Sequence, residues 1–441
     1  MAKRSEIATR AERRSQGRAC RNRIRRVDQA KWDPKRRNFN VIDLLLASQQ
    51  GRIPQLLPIK WAHMKASPFG FFRGAVPVMA ADLAPLPRTG LMAQLCGDAH
   101  VQNLGAFEAP DGRLIFDIND FDETIVGPWE WDVKRMSASL VLAGREAGNS
   151  EKDCRTAVMA FVRNYRVCMN RFAEMPFIDL ARYQIYRDID CLRTVLRKAE
   201  RTTPLHNLER LTYQRGSRHI FHDRKPMQFH VSQKEENAAK ASLPAYMKTL
   251  LPERAHFFRQ YQVEDVCFRV VGTGSVGLRD YVLLMFGGAL SDPLFLQIKE
   301  EPGSAYAPYL PNSPVAAHQG QRTAEGGRAM QMQSDVFLGW TSIEGRDYIV
   351  RQLKDHKAGI EQSDLKGVGL VQYAEMCGEL LSKGHARSGD PCSIAGYLGN
   401  NDKFDIAMAL FGATYANQTT KDWEALKRAL NHGKLTAAAG A

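Results

Sequence analysis

The sequence predicts an α+β protein of two lobes, one mainly helical and one rich in strands. Two observations carry this. Between residues 132 and 200, the stretches VKRMSASLVLAGREAG and CRTAVMAFVRNYRVCMNRF place apolar residues at helical spacing. Residues 265–300 change character: DVCFRVVGTGSVGLRDYVLLMFGGALSDPLFLQIKEE reads as strand, glycine loop, strand, turn, strand. A chain of 441 residues is long enough for such a division and for a large core. Four segments are expected: a basic, disordered arm at 1–37, a helical lobe at 38–262, a strand-rich lobe at 263–358, and C-terminal helices at 359–441 that complete the helical lobe.

The arm comes first. The formal net charge is +13, and residues 1–40 carry 14 Lys/Arg against 4 Asp/Glu, so the rest of the chain is nearly balanced. Such a tail either solubilises the protein or contacts nucleic acid, the ribosome or an acidic lipid surface. No apolar run approaches the roughly 18–20 residues of a membrane span. No signal-peptide core follows the basic start, so a soluble, cytoplasmic protein is expected. Eight scattered cysteines without a CxxC pair predict reduced thiols rather than disulfides or zinc.

Along the body, Val41–Ala47 is expected to be helical. SPFGFFRG reads as a packed loop around Arg73, which would meet either a phosphate or an internal carboxylate. Residues 201–262 are polar and show no clear element. Residues 321–335 are expected to form a helix, RDYIVRQLKDH a strand, and 370–384 and 403–430 helices.

Gly272, Gly274 and Gly277 form GxGxxG, with Ser275 among them. A dinucleotide fold would place a helix after these glycines. The strand YVLLMF follows instead, and a glycine loop between antiparallel strands is how protein kinases cover ATP phosphates. Lys299 ends the third strand, where a kinase places its phosphate-holding lysine. That lysine needs a carboxylate on a nearby helix, and RTAEGGRAMQMQSD offers Glu325.

The stretch LCGDAHVQNLG supplies the second half of such a site. Kinase loops place an Asn five residues after the catalytic Asp, and here Asp98 is followed at that distance by Asn103. A metal-binding Asp should follow a short hairpin. GAFEAPDGRLIFDINDFDET provides it as Asp120, with Asp117 and Asp122 as flanking carboxylates. Magnesium takes a few protein oxygens and the rest from phosphate and water, which Asn103 and Asp120 satisfy.

GDAHVQN…FDINDFDETIVGPWEWD resembles the phosphotransferase loop of the aminoglycoside and choline kinases. The resemblance implies ATP and Mg2+ as cofactors, Asp98 as catalytic base and His100 as the structural histidine of the loop. It implies Asn103 and Asp120 as metal ligands, with Gly127 and Asp132 as the later glycine and bracing aspartate. The first histidine of the family motif is Cys96 here. Residues 40–425 resemble a bacterial family designated a domain of unknown function, DUF2252. The motifs that carry this are SPFGFFRG, CGDAHVQNLG, FDINDFDETIVGPWEWDVKR, VGTGSVGLRDY, HARSGD and IAGYLG.

A kinase runs from glycine loop to catalytic loop, whereas this chain runs the other way. A circularly permuted, two-lobed protein-kinase-like fold is therefore expected, in which the helix YAEMCGELLSKGHARSGD precedes the catalytic loop in space. GHARSGD itself mimics such a loop, making Asp390 a rival base. Ala395 stands where its Asn should be. His385 and Arg387 either face phosphates or close a helix end, and Trp129 and Trp131 are expected to pack.

The expected function is ATP- and Mg-dependent phosphoryl transfer to an unknown hydroxyl acceptor. The alternatives are a nucleotide-binding pseudokinase, a metal-dependent phosphohydrolase built on Asp98, His100, Asp117, Asp120 and Asp122, or a nucleic-acid-associated protein using residues 1–37.

Overall fold

In a computed structural model the structure describes residues 7–185, 189–314, 316–353 and 358–438, apart from the side chain of Cys191. The fold is α+β. Its largest sheet is antiparallel, with six strands in the order Gly339–Ile343, Arg346–Gln352, Pro293–Glu300, Asp280–Phe286, Gln262–Arg269 and Gln228–His230. The three central strands are the expected strand, loop, strand, turn, strand run. Pro293–Glu300 is buried along its whole length, as a central strand covered on both faces must be. Helix Gln319–Met330 packs beside Arg346–Gln352.

The strand-rich layer starts earlier than residue 263. Gln228–His230 is its edge strand, and Ala239, Tyr246, Leu250 and Phe258 share one hydrophobic cluster with Val266, Leu283 and Ile298. Alternation in three residues is too short to announce that strand. Leu208, Leu211 and Phe221 cover the opposite face of the sheet beside Cys267, Val282 and Phe295.

The helical body centres on Glu130–Glu146, Glu151–Glu174, Val368–Ser388 and Lys403–Asn431. Trp129 is fully buried, stacked on Tyr165 at 5.6 Å, and Trp131 packs near Tyr306, so both tryptophans belong to the core. A three-stranded sheet (Ala358–Gly359, Leu104–Glu108, Leu114–Ile118) and a pair (Met92–Leu95 with Ile125–Pro128) lie against this body. No helix among the described residues is long and apolar enough to cross a membrane.

Two expectations are corrected here. SPFGFFRG is not a loop: Pro68–Gly74 is a helix, started by Ser67, whose hydroxyl accepts from the Gly70 amide, and by Pro68 at its first position. The arm is ordered from residue 7. Arg10–Ala19 is a helix with a capping box between Thr9 and Glu12. It lies so close to helix Pro391–Leu398 that a Cβ on Gly17 would fall 1.9 Å from the Ser393 carbonyl oxygen. Arg21 donates to the carbonyls of Gly396 and Tyr397, and Arg26 to that of Leu398. These are the free carbonyls of a helix C-terminus, where cations are favourable. The charge that suggested disorder is thus partly used inside the fold.

Candidate active site

Strands Met92–Leu95 and Ile125–Pro128 pair with Leu95 opposite Ile125, which brings the two acidic motifs together. The Thr124 hydroxyl closes the junction by donating to the Leu95 carbonyl at 2.5 Å. The chain then turns at Gly97, with φ +84°, and a Cβ there would lie 2.1 Å from the Glu123 carbonyl oxygen. Only glycine fits. Asp132, in the first turn of helix Glu130–Glu146, accepts from the amides of Cys96 (2.8 Å) and Gly97 (3.1 Å). His385 Nε2 lies 3.3 Å from the same carboxylate, and its Nδ1 bonds to the Tyr165 hydroxyl at 2.8 Å. A different helix therefore sets an imidazole against the bracing aspartate, while Cys96 contributes its amide.

Asp98 follows this turn. Arg135, one helical turn beyond Asp132, donates through Nε to Asp98 Oδ1 at 2.6 Å and through its terminal nitrogen to the Phe72 carbonyl at 3.0 Å. Burial raises the Asp98 pKa, and the Arg135 charge opposes that shift. His100 Nδ1 accepts from the Gln102 amide at 3.1 Å, so its proton sits on Nε2, 3.6 Å from Asp98 Oδ2. Burial and the Arg73 and Arg135 charges hold this imidazole neutral. Asn103 Nδ2 donates to the Asp98 carbonyl at 2.7 Å, which leaves Asn103 Oδ1 without a donor among the described residues.

Asp98, His100, Asn103, Asp120, Asp122 and Glu123 line one cleft of about 70 Å³ with Gly272–Ser275 across from them. Gly272 and Gly277 have φ of +70° and +91°, a backbone suited to glycine. Ser275 Oγ donates to Asp122 Oδ2 at 3.1 Å. Lys299 is buried beside this cleft and pairs with Asp122, with Glu301 3.8 Å away. Against burial, these carboxylates keep Lys299 protonated, and the charges of Lys299 and Arg351 hold Asp122 ionised. Asp120 goes the other way: burial and the Asp122 charge push its carboxyl up to about 7.

Glu325 is not at the lysine. It is exposed and accepts from Gln321 at 2.8 Å, because the opposite face of its helix packs inward. There Thr323 donates to Glu301 at 3.0 Å, and Arg322 to the Asp122 carbonyl at 2.9 Å. Glu301 is the partner the sequence reading missed; it stands two residues after Lys299, on the same side of an extended chain. Arg135 was also missed, although it lies within the DVKR run. Asp117 is tied to buried Lys383 at 2.5 Å. Asp390 caps helix Pro391–Leu398 and meets Arg13, and Arg387 donates to the Ala181 carbonyl, so neither lines the cleft.

The family model described as "Uncharacterized protein conserved in bacteria (DUF2252)" matches residues 52–429, and the chain belongs to that family. No curated protein and no solved structure matches it.

Proposed function

We propose that this member of the family is an ATP- and magnesium-dependent phosphotransferase acting on a hydroxyl acceptor. The observation that carries the reading is the shared cleft, where Asp98, Asn103 and Asp120 meet a glycine loop from a distant part of the chain. Asp98 orients the acceptor hydroxyl and takes its proton. The acceptor oxygen bonds to the terminal phosphorus as the bond from that phosphorus to the bridging oxygen breaks, and ADP departs with the electron pair. Arg135 positions Asp98. The glycine-loop amides and Lys299 hold the phosphates.

Asn103 Oδ1 and the Asp120 carboxylate would hold magnesium, which when bound neutralises phosphate charge. Two hard oxygens on one cleft wall suit an ion that takes its other ligands from phosphate and water.

A permuted kinase-like order is supported by two junctions. The Gln94 amide donates to Ser388 Oγ at 3.2 Å, so helix Val368–Ser388 ends where the catalytic-loop strand begins. Ala358 pairs with Ala106, joining the end of the strand-rich layer to the strand after Asn103. A pseudokinase is the second reading, favoured by the Arg135 contact that lowers the basicity of Asp98.

The test is calorimetric titration of ATP with and without magnesium. Magnesium-dependent binding lost in Asp120→Ala and weakened in Lys299→Ala supports the site. Failure of the folded wild type to bind overturns it. ATP consumption separates enzyme from pseudokinase.

A further inference from the structure

A second chamber of about 310 Å³ adjoins the cleft and shares Arg52, Arg73, Glu123 and Gly274 with it. Its remaining walls come from residues 44–77 and 302–309, and no strand of the six-stranded sheet lines it. The volume suits a small-molecule ligand.

Its lining is rich in nitrogen donors. Arg52, Arg73 and the Lys60 amine share it with one carboxylate, Glu123, which already accepts from the Ala305 amide at 2.6 Å, while Arg52 and Arg73 also line the adjoining cleft with Asp98, Asp120 and Asp122. Lys60 is 2% exposed and donates only to the Gly274 carbonyl at 3.3 Å, with no carboxylate in ion-pair range among the described residues, and this burial pushes its pKa well down, so that an arriving anion would be what charges it. Arg73 makes no hydrogen bond or ion pair among the described residues, and its Nε is sealed from solvent without an acceptor. Arg52 donates to the Val276 carbonyl at 2.7 Å. Secluded cations held by carbonyls alone are costly unless an anion completes them. Lys60 lines this chamber and not the cleft, and reaches the glycine loop from the chamber side through the Gly274 carbonyl.

The geometry points to an acceptor that carries its own phosphate: a phosphorylated alcohol whose phosphate sits among Lys60, Arg73 and Arg52 while its hydroxyl reaches Asp98. This rests on the phosphotransferase reading of the adjoining cleft. Two guanidinium groups and the Lys60 amine offer more donors than a single carboxylate group can use, and suit the three oxygens of a phosphate.

Inorganic phosphate is the probe. It is titrated into the full-length protein alone and saturated with magnesium and a non-hydrolysable ATP analogue, with acetate as a parallel arm. Phosphate is expected to bind the nucleotide-loaded protein, and acetate at least about tenfold more weakly. Lys60→Met should weaken phosphate about tenfold or more while the analogue still binds, and Arg73→Gln, whose side chain lines both spaces, should also weaken phosphate about tenfold or more. Lys60→Met replaces a buried amine by an apolar chain of similar length and is expected to fold. Competition between phosphate and the analogue, binding indifferent to both substitutions, or no phosphate binding overturns the inference and leaves the nucleotide site standing. Failure of the analogue to bind the wild type overturns both.

Discussion

Lys299 and Asp122 form a direct ion pair that ties the central strand of the large sheet to the segment carrying Asp120 and Asp122. The same Asp122 oxygen accepts from Ser275, so one carboxylate holds both the lysine and the glycine loop. Removing Lys299 takes away the direct ion-pair partner of Asp122 and leaves Arg322 and Arg351 as the cations near Glu301 and Asp122; breaking a buried pair from one side costs about 3–5 kcal/mol. Asp122 is 23% exposed at its side chain, which places the loss near the lower end. Lys299→Met is therefore expected to be markedly less stable in denaturant unfolding, and Lys299→Met/Asp122→Asn less so than the single variant. Equal destabilisation in both would mean that the pair does not hold the seam.

Arg135 holds the Asp98 carboxylate, and substituting Asp98 tests the proposed base apart from nucleotide binding. Asp98→Asn keeps the shape of the loop and the Asn103 contact, which uses the Asp98 backbone carbonyl. Nucleotide affinity should stay within about threefold, while ATP consumption falls about 10²–10⁴-fold, the range of a lost general base. Calorimetry and a turnover assay on the same preparation check this. A variant that turns over normally would remove Asp98 from the base role.

Much of this site could be read in the sequence because its spacing is local. Asp98, Asn103 and Asp120 flank one short hairpin, Leu104–Glu108 with Leu114–Ile118, and the glycine loop lies between strands whose apolar runs are unmistakable. The missed contacts are those made across the chain. Glu325 was favoured because a carboxylate on a helix was sought, but helix rotation is set by packing, and Thr323 and Arg322 took the inner face. The order of the arm was hidden for a similar reason. Its arginines meet helix-end carbonyls nearly 400 residues away in the chain, and composition alone cannot reveal such partners. SPFGFFRG looked like a loop because of its Pro and Gly, although Ser67-Pro68 is a helix start.

Asp120 gives the site a pH dependence with a definite sign. Its carboxyl is raised from 3.8 to about 7, so the folded state binds a proton that the unfolded state releases between these values. Its stabilising contribution is therefore full below about 4 and is lost as the pH rises through about 7. Magnesium needs the ionised form, so magnesium-dependent nucleotide affinity should rise with pH up to about 7 and then level off. Titrations at a series of pH values, with stability measured in parallel on Asp120→Asn, check both trends. Stability that keeps its slope in this variant would assign the titration to Asp280, whose carboxyl burial also raises to about 7.

The arm gives the last prediction. Arg37 bonds to Asp82 at 2.5 Å and to Asp422 at 2.8 Å, and all three side chains are largely buried. Arg37→Met leaves two carboxylates facing each other, and a loss of about 3–5 kcal/mol is expected from such a one-sided break. Gly17→Ala pushes a methyl into the Ser393 backbone and should lower the thermal midpoint without touching the cleft. Denaturant and thermal unfolding measure both, with ATP titration as the control. If Gly17→Ala melts like the wild type, helix Arg10–Ala19 is not held against Pro391–Leu398 in solution. If it loses stability and keeps nucleotide binding, the basic N-terminal segment is part of the folded body.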